Sequence, residues 1–217
     1  MSSISIFFTL FFYFSVLIFV TGLSYKIVQY WNTPAPLKIP IAPAPLTKSG
    51  VFLRLTKEVF LFATLFKSSK WTWLFGWSFH LALVLLFFRH LVYFWPGEIP
   101  LILLKTEPLK YAAYPLIFGL LGLLGRRIFV DRIRYISAPS DYLMLLLIIL
   151  IGASGMVMTF ANNHPNMLLV KNFAEGLITF KWSELPSEVI FLVHIFPVFF
   201  LIAIFPISKL LHGPGIF

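Results

Sequence analysis

Apolar runs long enough to cross a hydrocarbon core of about 30 Å, a span of about 20 helical residues, recur five times along this 217-residue chain. They lie at about 4–25, 71–95, 109–125, 140–160 and 187–208. The first has neither a basic n-region nor an A-x-A-like cleavage site, so it reads as a retained helix and not as a signal peptide. The third is the shortest and carries Gly119, Gly122 and Gly125. These form a small-residue face suited to close helix packing, or reflect the tolerance of membrane helices for glycine. The fourth holds Gly152 and Gly155, and Ser187, with Glu188 in the first turn, is placed to cap the fifth. Between the first two runs lies a loop, 26–70, that is too long for a hairpin. Its first part, NTPAPLKIPIAPAP, is held extended by proline. Its second part repeats Val51, Leu55, Val59 and Phe62 at helical spacing, with Arg54, Lys57 and Glu58 between them. That pattern predicts an amphipathic helix at about 51–66, lying at the membrane surface, docking a soluble subunit, or both. The expected architecture is all-α: one membrane domain, 1–217, built on a bundle of five transmembrane helices.

Composition supports the membrane assignment. The chain is 59% hydrophobic and 12% charged, with a mean hydropathy of +0.92, whereas soluble domains have about 45 to 50% apolar and about 25% charged residues. It has no cysteine, which excludes disulfides, thiolate haem ligation and an iron–sulfur cluster held by its own thiolates. Any iron–sulfur chemistry must then belong to a partner. The net charge of +9 is read as topology and not as a nucleic-acid footprint. Of 17 Lys and Arg residues, seven fall in the loop from Lys26 to Lys70, and Arg126, Arg127, Arg132 and Arg134 lie between the third and fourth runs. Lys209 follows on the same side. Lys105, Lys110, Lys171 and Lys181 lie on the other, and Arg89 is inside the second run. The positive-inside rule then places the N-terminus outside and the C-terminus in the cytoplasm.

Four of the five histidines fall in two runs: His80 and His90 in the second, His194 and His212 along the fifth and its end. An ionisable side chain in an apolar span marks a functional site by default, and imidazole is a usual haem-iron ligand. At about 100° per residue, the step from His194 to His212 closes about five full turns, so both share a face, and His80 and His90 lie about 80° apart. The two helices run in opposite directions. His80 is therefore matched in depth with His212 on the cytoplasmic side, and His90 with His194 on the outer side, each pair holding the iron of one haem b. Straight helices would separate the pairs by about 15 Å on one helix and about 27 Å on the other. Pro197 and Pro206 can bend the fifth helix, and His212 is expected at or beyond a bend. A packing role is the plainer alternative for any single histidine. His164, in the loop ANNHPN, is read as a loop residue. Gly76, one turn before His80, makes room for a porphyrin face or packs a neighbour.

These histidine spacings, the five helices, RRIF at 126–129 and FPISKLLH at 205–212 resemble the cytochrome b (gamma) subunit of respiratory nitrate reductase, over about residue 72 to the end. The proline-rich loop and EVFLFATLFKSSKWTW are similar instead to the membrane cytochrome b of the sulfite-reduction-associated (Dsr) electron-transport complex, a branch of the same superfamily. The nitrate reductase type and the heterodisulfide-reductase type are the alternatives. The resemblance implies a dihaem subunit in a bacterial cytoplasmic (inner) membrane. It would pass electrons, in either direction, between the quinone or menaquinone pool and iron–sulfur clusters of a cytoplasmic partner in sulfur metabolism, with further membrane or periplasmic subunits. It also implies a quinol site on the outer side near Lys110, with Glu107 close by in sequence. The family carries a small residue where this chain has Arg89. Arg126 and Arg127, with Arg132 and Arg134, stand where haem propionates or an acidic partner would meet guanidinium groups, or form only a positive-inside cluster. No acid–base set for chemistry on a soluble substrate is evident. A cofactor-free membrane anchor is the competing class, with the same helices and the same charge bias.

Overall fold

Each apolar run becomes a helix because, away from water, the backbone must satisfy its own hydrogen bonds. The computed structural model describes residues 1–34, 45, 47–95, 107–161 and 164–213. The proline-rich stretch 35–44, Pro96, Gly97 and Lys105 lie outside the described residues. In chain order the helices are α1 (Ser3–Asn32), α2 (Lys48–Leu61), α3 (Ala63–Ser68), α4 (Lys70–Phe94), α5 (Ala113–Phe129), α6 (Asp131–Ile136), α7 (Pro139–Phe160), α8 (Met167–Thr179) and α9 (Val189–Ile204). A 3-10 turn, Glu107–Ala112, precedes α5, and two more, Phe205–Ile207 and Lys209–His212, follow α9. Among the described residues five helices are long and apolar enough to cross a membrane: α1, α4, α5 with its leading turn, α7, and α9 with the turn after it.

The spans pack in the order α4, α5, α7, α9, α1. Glycine sets two of these approaches. A Cβ on Gly119 would stand 2.6 Å from the Phe75 carbonyl oxygen and 2.9 Å from the Phe79 Cβ, and one on Gly152 would stand 2.7 Å from Leu116. The α4–α5 and α5–α7 contacts therefore depend on small residues, as packing between helices in lipid generally does. Between α1 and α9 the contact is aromatic, with Phe11 on Phe196 and Phe12 on Phe199, each pair with ring centroids 5.2 Å apart. Two buried hydroxyls of α1 are satisfied along its own backbone, Thr9 donating to the Ser5 carbonyl at 2.8 Å and Ser15 to that of Phe11 at 2.7 Å. By contrast α4 and α9, which carry the histidines, barely approach one another at the backbone level.

Two features depart from the sequence expectation, and a third meets it. The single amphipathic helix is two helices, because Phe62 adopts a left-handed conformation, φ 49° and ψ 47°. Such a residue costs on the order of 1–3 kcal/mol unless its surroundings hold it, and here they do. Glu58 accepts hydrogen bonds from the Thr64 amide at 3.0 Å and hydroxyl at 2.5 Å, bridging the break. The Thr64 hydroxyl and amide also hold the Glu58 carboxyl below its ordinary range. The indoles of Trp73 and Trp77 on α4 donate to the carbonyls of Leu61 and Phe60 at 2.7 and 3.0 Å, which the end of α2 would otherwise leave open. The α2–α3 elbow is thereby fastened against α4. The second departure is α8, an amphipathic helix in a segment expected to be loop. It buries Val170, Phe173 and Leu177 in one core with Phe8, Leu185, Phe191 and Phe199, and it also packs on α4. Thirdly, α9 stops at Ile204, since Pro206 has no amide proton to continue the helix. Ser208 is extended, at φ −100° and ψ 169°, before the last turn begins, so His212 does lie beyond a bend.

Candidate histidine centres

The helices bring the four histidines together two by two across the gap between α4 and α9. His80 and His212 have ring centroids 6.0 Å apart with their planes at 85°. His90 and His194 stand 6.4 Å apart with planes at 12°. One metal between two imidazoles, with a metal–nitrogen bond of about 2.0–2.1 Å and about 1.2 Å from nitrogen to ring centre, requires about 6.4 Å between centroids. The His90–His194 pair is at this distance and the His80–His212 pair about 0.4 Å short of it.

Hydrogen bonding prepares each ring in the same way. His80 Nδ1 bonds the Gly76 carbonyl at 2.7 Å, His90 Nδ1 that of Leu86 at 2.6 Å, and His212 Nδ1 that of Lys209 at 2.8 Å. His194 Nδ1 reaches across to α7, to the Ile151 carbonyl and the Ser154 hydroxyl, both at 3.0 Å. A carbonyl can only accept, so each Nδ1 carries the proton and each Nε2 keeps its lone pair. That is the tautomer of a metal ligand whose outer nitrogen is fixed by a second partner. Gly155 lies under the His194 ring, where a Cβ would come within 3.3 Å of Cε1. Around the first pair, Phe62 and Phe79 stand with ring centroids 5.0 and 4.7 Å from that of His80, so the left-handed break in the elbow delivers an aromatic ring to this centre. Tyr93 lies 6.0 Å from His90.

The remaining sequence candidates divide. Arg127 donates to the Asp141 carboxylate at 3.3 Å and to the Ser137 hydroxyl at 2.8 Å, so it is committed to a charge network within the protein, with Arg126 half-buried beside it. Lys110 sits in the turn before α5, which packs on α4, with its Nζ 5.6 Å from the Tyr111 ring centroid. His164 is exposed ahead of α8. Gly76 is buried, and a Cβ there would meet only Leu65, at 3.8 Å. An apolar groove of about 810 Å³ runs between α1, α7 and α9, lined among others by Phe7, Leu150, Leu192 and Phe196, and no histidine lines it. Sequence reasoning missed Asp141, Ser154 and Phe62, and treated Lys209 only as a tail charge. An acidic residue at the head of an apolar run, two turns after an arginine cluster, was a readable signal for Asp141. Ser154 carries none.

Residues 50–216 match the family described as nitrate reductase gamma subunit. The match begins ahead of residue 72 and takes in the elbow. A protein of Archaeoglobus fulgidus named Hdr-like menaquinol oxidoreductase cytochrome b-like subunit is 32% identical, over 94% of this chain and 75% of its own length. Its namesake in Archaeoglobus profundus is 30% identical, over 92% of this chain and 73% of its own length.

Proposed function

Because the chain belongs to the nitrate reductase gamma subunit family, we propose that it is the cytochrome b subunit of a menaquinol oxidoreductase complex, holding two haems b. His80 and His212 ligate the iron of one, and His90 and His194 that of the other. The observation that carries this reading is the pairing itself: four histidines, two facing pairs at metal-bridging distance, every Nδ1 tied to an acceptor and every Nε2 left with its lone pair. Bound haem supplies a one-electron iron couple. The chain's own residues orient the rings and raise their basicity through the Nδ1 hydrogen bonds, and Phe62 and Phe79 flank His80, which limits water there and lowers the local dielectric.

The excess of Lys and Arg at the end of the bundle carrying His80 and His212 makes that end cytoplasmic. There the elbow of α2 and α3 meets a soluble subunit with iron–sulfur clusters. The quinone site lies at the opposite end, beside His90 and His194, with Lys110 as a hydrogen-bond partner for the quinol oxygen. The names of the relatives favour menaquinone, and the resemblance to the Dsr complex supports a role in sulfur metabolism, in a cytoplasmic membrane. A reduced-minus-oxidised visible spectrum of the purified protein, with haem quantified per polypeptide, tests the reading. Two b-type haems per chain are expected, and His212→Ala should remove one while His194→Ala removes the other. A folded protein without a haem signal would instead be a membrane anchor.

A further inference from the structure

The least supported of the four rings is that of His212. It is exposed, it lies beyond the end of α9, and the turn Lys209–His212 contains no buried residue. Packing therefore does not hold this imidazole in place, unlike the three rings carried on helices. Two anchors flank the turn. Upstream, buried Pro206 seats against Gly22 of α1, where a Cβ would come within 2.7 Å of the Pro206 Cβ. Within the turn, the Lys209 ammonium grips both oxygens of Asp141, at 2.6 and 2.8 Å.

Asp141 is a fixed point. Its side chain is 4% exposed, and it stands in the first turn of α7, where it also accepts from the Ala138 amide at 3.1 Å and from Arg127 at 3.3 Å. Lys209 then holds His212 from two directions. Its side chain ties the turn to α7, and its carbonyl accepts the His212 Nδ1 proton at 2.8 Å. We propose that Lys209, braced by Asp141, is the positioning residue that sets the His212 ring opposite His80, so that one ion pair between α7 and the last turn completes the cytoplasmic centre. This rests on the reading of His80 and His212 as a haem pair.

The test uses the full chain in detergent. Lys209→Met, which keeps the carbonyl on His212 Nδ1 but releases the turn from Asp141, should lower affinity for the haem of His80 and His212 by about 10-fold, the lower end of the loss that follows disturbance of a metal ligand's outer partners. The haem of His90 and His194 stays at full occupancy and serves as the internal control. Lys209→Arg, which keeps the charge and the reach, should restore occupancy and midpoint potential together, which a bulk effect on folding would not do. Asp141→Asn should reproduce Lys209→Met, whereas Arg127→Gln, which leaves the Lys209–Asp141 contact in place, should have the smaller effect. If Lys209→Met destabilises the whole protein, Lys209→Gln is read against the same two haems. Wild-type occupancy and potential in Lys209→Met or Lys209→Gln overturn the proposal, as does failure of arginine to rescue. Should His212→Ala itself leave both haems intact, the assignment of the pair has failed, independently of Lys209.

Discussion

A single hydroxyl separates the surroundings of His194 from those of the other three rings. Ser154 shares the Nδ1 proton of His194 with the Ile151 carbonyl, while its own proton goes to the Leu150 carbonyl at 2.7 Å. A second acceptor at Nδ1 makes the imidazole a stronger donor and favours ferric iron. Ser154→Ala should therefore raise the midpoint potential of the haem of His90 and His194. A hydrogen bond nets on the order of 0.5–1.5 kcal/mol, and a one-electron potential moves about 59 mV per 1.4 kcal/mol, so the expected rise is about 20–60 mV, read by potentiometric titration. The other haem should not move. The histidines were legible in the sequence because a titratable ring in an apolar run stands out, and opposed helix directions left one way to pair them by depth. Ser154 was not legible: a serine within a membrane helix usually bonds the carbonyl one turn back, and its reach to His194 exists only once α7 and α9 are packed.

Among the elements, the five long helices were readable from the length of their apolar runs alone. α8 was not, because Lys171, Asn172 and Glu175 interrupt its apolar positions, and it is helical on account of the core it covers with Phe8 and Phe191. The elbow was half legible. Helical spacing announced α2 and α3, but nothing in the local sequence asks for a left-handed phenylalanine, which is stabilised by Glu58 and by two tryptophans of another helix. The elbow leaves Phe52 and Phe60 exposed, at 72% and 70%, beside Arg54 and Lys57, so it has apolar groups for the interface and charges for a partner. Reversing both charges, Arg54→Glu with Lys57→Glu, should weaken co-purification with the soluble subunit, with the loss growing as salt is lowered and screening fails. Unchanged co-purification would leave the elbow as a lipid anchor.

Taken whole, the chain builds one bundle with two centres stacked across it. α4 carries one histidine of each pair and α9 with its tail carries the other two, while α5 packs on α4, α1 packs on α9, and α7 packs between α5 and α9. Contact order follows from this: neither pair forms until the last span is in place, since His80 and His90 wait for residues more than 100 positions downstream. The two histidine pairs bridge α4 and the α9 end of the chain, one pair with nearly parallel rings and the other with nearly perpendicular ones.

The orientation of those planes has a magnetic consequence. When two axial imidazoles lie nearly parallel, as His90 and His194 do at 12°, both donate into the same iron d orbital and split it from its partner. When they lie nearly perpendicular, as His80 and His212 do at 85°, each donates into a different one and the two orbitals stay close in energy. The ferric protein should accordingly give two separable low-spin paramagnetic resonance signals at low temperature. One is rhombic and disappears in His194→Ala, and the other, with a larger maximum g value, disappears in His212→Ala. Identical signals from both centres would show that the rings turn when iron binds.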